Sequence, residues 1–292
     1  MKKLSLIILV IACGIGAGFA QQDSNGKSPE AGNAYNKGLD MARKGDFRSA
    51  EPLFKEAIKA DPKFKEAFYM LGVTQHRLDR DSDAIASFKK AIEIDNKFEN
   101  AYIALGNAQI DAGDNEAAIN SFNAVLAFNE NSEKAYYGVG KVYYEMKNYD
   151  RAIDALKKAV EKDSKYDIAW NYLGLAQQEQ NQLTDAAESF QAAISSTRKN
   201  SRKGQYYYRL GGAYQKLQRY ADAEAAFMNA LKFSKSQTVV GGSNFHLGEV
   251  YKKLGQNRKA LEFFRKSARN RAWKAASDYE IDLILNPNKY VN

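Results

Sequence analysis

The chain has 292 residues, 45% of them hydrophobic and 27% charged, with 20 glycines and 4 prolines. These proportions exclude a collagen-like or low-complexity chain and allow a sizeable buried core. The formal net charge is +8, and residues 198–273 carry 17 Lys and Arg against 4 Asp and Glu. This segment would favour an acidic partner, an anionic lipid or a cell-wall polymer, and the alternative is an ordinary solvated face.

The first residues, MKKLSLIILVIACGIGAGFAQQ, have the pattern of an export signal. Two lysines precede an apolar run, and Gly18 and Ala20 are small residues of the kind that a signal peptidase recognises. We therefore predict a cleaved signal peptide at residues 1–20 and a flexible leader at residues 21–30. Two alternatives are an uncleaved anchor and a lipoprotein signal, because the sequence VIAC that ends at Cys13 resembles a lipobox. The predicted destination is the periplasm or the outer membrane, with secretion as a further alternative.

After the leader, one pattern recurs with a period of 34 residues. Its first column is a glycine, at Gly38, Gly72, Gly106, Gly140, Gly174 and, after two steps of 37 residues, Gly211 and Gly248. An alanine follows each glycine by twelve residues, and a phenylalanine, or Leu156 in one case, follows it by sixteen. The apolar residues between these columns have helical spacing and predict two helices in each period. Because one helix pair cannot bury its apolar face alone, we predict that the pairs stack.

This pattern resembles the tetratricopeptide repeat (TPR). The repeat around Gly174 has Trp170 and Leu173 from the family signature, although Gln177 stands where the family prefers Tyr. The resemblance covers residues 31–274, as seven repeats that start near residues 31, 65, 99, 133, 167, 204 and 241. It implies an all-α fold, an α-solenoid of seven TPR units. Apolar residues persist after the period breaks, so we predict a capping helix and tail at residues 275–292.

Combinations of residues that indicate enzymes are missing from the sequence. The only histidines are His76 and His246, about five repeats apart. No cluster of glycines follows a strand pattern, so no phosphate-binding loop is evident. A metal site or a His-assisted nucleophile is difficult to assemble from these residues. We therefore predict a protein that is not an enzyme, with no cofactor and no metal.

The resemblance also implies that the first helix of each pair lines a concave groove that binds a partner. Most candidate groove residues lie three before, one after or four after a repeat glycine: Tyr69, Asn107, Lys134, Tyr137, Lys141, Tyr144, Asn171, Tyr208, Arg209, Phe245 and Lys252. Rigid aromatic area combined with charge is typical of a peptide-binding surface. The alternative is that the aromatic rings only pack between neighbouring helices.

Some members of the family grip a C-terminal carboxylate with Lys, Asn and Arg side chains set across three consecutive repeats. Asn107 could imitate one of these residues, but Gly138, Ile168 and Tyr172 stand where polar or basic side chains would be needed. We do not predict that activity for this chain.

Together these features predict a non-catalytic scaffold or adaptor in the cell envelope that binds a protein or peptide, with an acidic segment favoured by the groove cations. Two alternatives remain. One is an envelope assembly or chaperone-like factor, peripheral to the membrane if lipidated, and the other is a regulatory subunit of a cell-wall or polysaccharide enzyme. Nucleic acid is not an expected partner, because an export signal argues against contact with it.

Overall fold

A computed structural model describes residues 28–290. The predicted signal peptide at residues 1–20 and most of the predicted leader, residues 21–27, lie outside the described residues. Within the described range the chain forms fifteen α-helices and one short 3₁₀ helix, with no β-strand. The fold is therefore all-α, as the sequence predicts.

In sequence order, fourteen of the helices make up seven pairs, one pair for each repeat of the sequence. The pairs are α1 (Pro29–Arg43) and α2 (Phe47–Ala60), α3 (Lys65–Arg77) and α4 (Asp81–Ile94), α5 (Glu99–Asp111) and α6 (Asn115–Phe128), α7 (Glu133–Glu145) and α8 (Tyr149–Lys162), α9 (Asp167–Glu179) and α10 (Leu183–Ser196), α11 (Asn200–Lys216) and α12 (Tyr220–Phe233), and α13 (Gln237–Lys253) and α14 (Asn257–Ser267). Helix α15 (Lys274–Leu285) and a 3₁₀ turn (Pro287–Tyr290) follow the last pair. The odd-numbered helices α1 to α13 are called first helices here, and the even-numbered helices are called second helices.

The helices divide into two compact units, and each is described by itself. The first unit ends at Asp114 and contains α1 to α5, and the second begins at Asn115 and contains α6 to α15. Within each unit, a second helix packs against the first helix of its own repeat and against the first helix of the next repeat. This nearest-neighbour packing is the arrangement expected of a solenoid.

The repeat glycines allow the two helices of a pair to approach closely. A Cβ atom on Gly174 would lie 2.7 Å from Cε1 of Phe190, and one on Gly211 would lie 2.6 Å from Cε1 of Phe227. These distances are far shorter than van der Waals contact, so a larger residue does not fit without movement. The whole aromatic column is buried, at Phe54, Phe88, Phe122, Phe190, Phe227 and Phe264 with Leu156. The predicted roles of the glycine and phenylalanine columns are confirmed.

The turn between the two helices of a pair has a left-handed residue seven positions after the repeat glycine. Gly45, Gly113 and Gly255 hold this position with φ of 80°, 82° and 71°. In the other four repeats the position is held by Asp79, Lys147, Asn181 and Gln218, with φ of 58–60°. Since side chains with a Cβ rarely adopt this conformation, the packing of the helix pair imposes the turn on whichever residue is present.

A buried hydrogen bond of one kind joins the two helices of a repeat at Gln75 and again at Gln177. Ser87 Oγ donates to Gln75 Oε1 at 2.6 Å, and Ser189 Oγ donates to Gln177 Oε1 at 2.6 Å. Gln177, the departure from the family pattern, therefore has a polar partner twelve residues later. We call this the Gln–Ser pair.

Tyr214 and Tyr251, at the same position of the last two repeats, use a different contact. Gln191 Nε2 donates to Tyr214 Oη at 2.5 Å, and Tyr251 Oη donates to Glu224 Oε1 at 2.5 Å. In both cases the partner lies on the second helix of the preceding repeat. Tyr214 and Tyr251 therefore connect consecutive repeats, whereas the Gln–Ser pair connects the two helices of one repeat.

Both three-residue insertions of the sequence lengthen first helices. Helices α11 and α13 have 17 residues, whereas α3, α5, α7 and α9 have 13. The extension of α11 carries Arg202, whose Nη1 donates to both carboxylate oxygens of Asp167 on α9 at 2.9 Å. The insertion thus adds a partly buried contact between consecutive first helices.

Helix α15 covers the end of the last repeat. Ile281 and Ile284 pack against the core of the second unit, and Lys252 Nζ lies 2.6 Å from Glu280 Oε2. Tyr279 and Leu285 face solvent. One side of the helix is therefore packed against the last repeat and the other is exposed, and the capping role stays a prediction.

Candidate functional site

The first helices of the second unit form one continuous side of the stack. Helix α7 contacts α9, and α11 contacts α13, whereas no two second helices in the described chain approach each other to the same extent. Side chains of α9 and α11 also meet, through Arg202 and Asp167. The first helices of this unit therefore lie closer together than its second helices. We call the side chains of α7, α9, α11 and α13 on this side the first-helix face.

A tyrosine cluster occupies the face between α7 and α9. The ring of Tyr137 lies edge-on to Tyr166 at 5.3 Å and to Tyr172 at 5.5 Å, and Tyr144 lies edge-on to Tyr172 at 5.6 Å. Tyr137 is only 7% exposed, whereas Tyr144 and Tyr172 are partly exposed. Tyr137 therefore supports the cluster from below, and the other two rings form its surface.

The hydroxyl groups of this cluster remain protonated. Burial raises the pKa of Tyr144 and of Tyr172, and nearby Glu179 and Glu145 respectively add to the increase. Tyr137 and Tyr172 are hydrogen-bonded through their hydroxyls, and this bond raises the pKa of Tyr137 and lowers that of Tyr172. The two hydroxyls are therefore neighbours within the cluster.

Arg209 lies between α11 and α9. One of its Nη1 protons is donated to Oδ1 of Asn171, which is buried. Burial lowers the pKa of Arg209, while Tyr172, Tyr206 and Tyr144 nearby oppose this change. Arg209 therefore adjoins the tyrosine cluster, although it comes from a different repeat.

A polar network connects α11 and α13. Tyr208 Oη lies 3.3 Å from His246 Nε2, and His246 Nδ1 lies 2.7 Å from Glu249 Oε2, which also accepts from Gln215 Nε2 at 3.0 Å. Burial would raise the pKa of Glu249, but the hydrogen bonds from His246 and Gln215 outweigh it and lower the pKa. His246 therefore faces a carboxylate acceptor at Nδ1 and the hydroxyl of Tyr208 at Nε2.

Tyr208, His246 and Glu249 follow one another in the order of the nucleophile, base and acid of a catalytic triad. The phenol of Tyr208, however, is a weak nucleophile. Burial and, to a smaller extent, Glu249 raise the pKa of Tyr208, so the phenolate is disfavoured.

In the described part of the chain, no group of three His, Cys, Asp or Glu side chains could hold a metal ion. Within residues 28–290, no helix has the length and apolar character needed to cross a bilayer.

Two of the candidate groove residues are turned toward the cap. The ring of Phe245 lies 5.0 Å from Trp273 and 5.5 Å from Phe264, and Lys252 forms the ion pair with Glu280 already described. Both side chains therefore contribute to the attachment of the segment after the last repeat.

The remaining candidate groove residues differ in burial and in the unit to which they belong. Asn171 is 5% exposed and holds Arg209, while Lys141 lies 3.7 Å from Glu145 and, like Lys134, is partly exposed. Tyr69 and Asn107 belong to the first unit. There the ring of Tyr69 lies 5.4 Å from Phe98, and burial raises its pKa to about 12.

Sequence reasoning missed a second column that contributes to the face. Two residues before the repeat glycine stand Tyr172, Arg209 and His246, and only Arg209 was a candidate. Each contacts the residue three before the glycine in the preceding repeat: Tyr172 contacts Tyr137, Arg209 contacts Asn171, and His246 contacts Tyr208. The alignment of the repeats contained this signal, because all three are large polar or aromatic residues.

Helix pairs stacked through glycine and phenylalanine columns define an all-α helical-repeat protein. The family model described as "Tetratricopeptide repeat" matches residues 35–97, 103–167, 137–201 and 172–237, and another with the same description matches residues 242–271. These matches span well over half of the chain, so the protein belongs to the tetratricopeptide repeat family. Proteins of this family generally act as non-catalytic scaffolds that bind protein or peptide partners.

Solved structures show the same fold. The crystal structure of the MamA protein is 30% identical, with a TM-score of 0.50, over 59% of this chain and 94% of that chain. A tetratricopeptide repeat protein from Parabacteroides merdae is 21% identical, with a TM-score of 0.59, over 89% and 100% of the two chains. PilF from Pseudomonas aeruginosa is 18% identical, with a TM-score of 0.60, over 71% and 92%. The last two similarities bear on the fold alone. No curated protein matches the sequence significantly.

Proposed function

We propose that this protein is an exported interaction scaffold of the cell envelope, and that its first-helix face binds an extended segment of a partner protein. The observation that carries the proposal is the tyrosine cluster of α7 and α9. Tyr144 and Tyr172 offer aromatic surface and hydroxyl donors on a support of buried side chains. Tyrosine anchors of this kind bind with little loss of side-chain entropy, and a preformed face lowers the ordering cost of binding.

The cluster separates a supporting ring from the rings that would contact a partner. Tyr137 is buried, so Tyr137→Ala should destabilise the fold by about 3 kcal/mol or more. Tyr144 is partly exposed, so Tyr144→Ala should change the melting temperature less and should weaken partner binding by about 2 kcal/mol, as expected for a hot-spot ring. The larger loss of stability is therefore expected for Tyr137→Ala, and the specific loss of partner affinity for Tyr144→Ala.

The partner can be captured with a photo-crosslinking amino acid. We would place it at position 144 in living cells and identify the crosslinked proteins by mass spectrometry. Position 279 is a matched control, because Tyr279 is exposed and lies on α15, outside the tyrosine cluster of α7 and α9. A partner crosslinked from position 144 and not from 279 is expected. If Tyr144→Ala lowered stability and left the affinity for that partner unchanged, the rings would serve packing alone.

The predicted export signal supports the assignment to the cell envelope, and it can be tested separately. The lysines, apolar run and small residues of the N-terminus predict a mature chain that begins at Gln21. Mass analysis of the protein from cells should find that terminus, with or without cyclised Gln21. A lipid on Cys13 would instead make the protein a lipoprotein and favour the assembly-factor alternative.

A further inference from the structure

Lysine and arginine concentrate at three consecutive connections between repeats. A connection here is the segment that joins a second helix to the first helix after it, and α15 takes the place of a first helix after the last repeat. Residues 196–203, 232–237 and 266–274 span the last three connections and contain ten Lys and Arg, but no Asp or Glu. We call the side chains of these three segments the basic edge.

The three connections form one continuous edge of the second unit. A Cβ atom on Gly204, near the start of α11, would lie 2.6 Å from Cβ of Ser234 in the next connection. That connection in turn meets the last one, where Asn270 Nδ2 donates to the backbone oxygen of Gln237 at 2.7 Å. Charges from separate repeats are therefore brought together at the same end of the helices.

Most cations of the basic edge lack an opposite charge. Three of the ten form ion pairs, namely Arg202, Lys266 and Lys274. The other seven have no carboxylate within 4.0 Å in the described chain: Arg198, Lys199, Lys203, Lys232, Lys235, Arg269 and Arg271. All of these except the partly buried Lys203 are exposed. Because unpaired like charges repel one another, their concentration on one edge favours an external partner with many negative charges.

The turn that opens each connection carries a carboxylate earlier in the chain. Its first residue lies 23 positions after the repeat glycine and is Asp163, Thr197 and Ser234 in repeats four, five and six. Each of these side chains accepts a hydrogen bond from the backbone N–H two residues later, at 2.9, 3.2 and 3.1 Å. In the last repeat the position is held by Arg271. A hydroxyl thus replaces the carboxylate in the same bond, so the turns of the basic edge form without its negative charge.

The aromatic rings beside the basic edge are occupied with each other. Tyr207 and Phe233 stack with their centroids 5.7 Å apart, and Lys203 Nζ and Lys232 Nζ lie 6.0 and 5.5 Å from the centroid of Phe233. Linear polyanions such as single-stranded nucleic acid are held by rings that are open to stacking. None of the exposed large apolar side chains of the described residues belongs to the basic edge. Contact with this edge would therefore be electrostatic.

We propose that the basic edge docks the protein onto an anionic lipid surface. Such a surface presents many negative headgroups in a plane, and each Lys or Arg near it adds attraction without a specific pocket. Exposed cations with long side chains at one end of the helices match this requirement. Since large apolar side chains are not exposed among them, the binding is to headgroups and is reversible. The inference goes beyond the proposed function, because it concerns side chains other than those of the first-helix face.

Two pairs of lysines provide a matched test. Lys199 and Lys235 precede α11 and α13 on the basic edge, whereas Lys216 and Lys253 end the same two helices. All four are exposed, so replacing either pair with Gln removes the same charge from the surface. We expect Lys199→Gln with Lys235→Gln to weaken binding to anionic vesicles by about tenfold or more, and Lys216→Gln with Lys253→Gln to have a much smaller effect. Equal melting temperatures would show that both double variants are folded.

Co-sedimentation with vesicles measures the binding. The unlipidated chain that begins at Gln21 would be mixed with vesicles of phosphatidylcholine and phosphatidylglycerol in a two-to-one ratio, and with vesicles of phosphatidylcholine alone. Wild-type protein should sediment only with the anionic vesicles, and less so as added salt screens the charges. No binding to the anionic vesicles, or an equal loss in the two double variants, would overturn the proposal.

A soluble polymer separates the lipid surface from a linear polyanion. If the protein bound inorganic polyphosphate through Lys199 and Lys235 but did not bind the vesicles, the edge would hold a polymer and the proposal would be wrong. No protein partner is present in these assays. A negative result would therefore refute the lipid contact alone and would leave the crosslinking from position 144 as the test of the proposed function.

Discussion

Adjacent glycines in α11 provide a sharp test of why the repeat glycine is required. Gly211 and Gly212 lie in the same helix, but a Cβ on Gly211 would meet Cε1 of buried Phe227 at 2.6 Å, whereas a Cβ on Gly212 would have no atom within 4 Å. Replacing either with alanine gains about 0.5–1 kcal/mol in helix propensity. Gly211→Ala also overpacks the core, which costs about 1–3 kcal/mol. We therefore expect Gly212→Ala to stabilise the protein and Gly211→Ala to destabilise it.

The comparison isolates the overpacking energy, because the propensity gain is common to both variants. The difference in unfolding free energy between them should be about 1–3 kcal/mol. Urea denaturation followed by circular dichroism at 222 nm measures it, with the thermal midpoint as a second observable. Repeat stacks need not unfold in a two-state transition. Because both glycines lie in one helix, any departure from two-state unfolding affects the two variants alike. If Gly211→Ala stabilised the protein as much as Gly212→Ala, the close approach of the helices would not explain the glycine column.

Two further outcomes follow from the cap and from the polar network. A chain truncated after Arg271 loses α15 and Trp273, so hydrogen exchange in residues 241–270 should become faster while residues 31–60 are unaffected; unchanged exchange in residues 241–270 would refute the capping role. The pKa of Glu249 is lowered in the fold, so its contribution to stability is present above its ordinary value of 4.5 and is lost as the pH falls through the folded pKa. Between pH 7 and pH 3, the melting temperature of wild-type protein should therefore fall more than that of Glu249→Gln, and parallel curves would exclude this contribution.

The architecture was accessible from the sequence because each repeat column has one physical task. The Gly174 column permits close approach and the Phe190 column fills the space beside it, so the two recur wherever the pair of helices recurs. The turn also follows from this packing. It keeps its left-handed residue even where the sequence offers Lys147 or Gln218 in place of glycine, which explains why turn residues alone were a weaker signal than the columns.

The candidate site was only partly accessible, because it depends on contacts between repeats. The spacing in the sequence places Tyr137 and Tyr144 on one helix, but it does not show which of the two rings is buried. That difference arises from Tyr166 and Tyr172, which come from the next repeat. Likewise, the sequence shows Arg209 as one cation in a basic segment. Its contact with the neighbouring helix became visible only once that helix had been placed.

The Gln–Ser pair has a consequence for how the chain avoids folding incorrectly. Seven similar helix pairs can in principle exchange partners, since each apolar surface resembles the others. A first helix with Gln75 or Gln177 is matched to a second helix with Ser87 or Ser189, and Tyr214 stands opposite Ala226 at the same two positions. A helix with the glutamine, if paired with a second helix that has alanine at the serine position, would bury a glutamine without its hydrogen bond, at about 1–3 kcal/mol. The two residue types thus act against exchange of partners between a repeat of the Gln–Ser kind and a repeat of the Tyr–Ala kind.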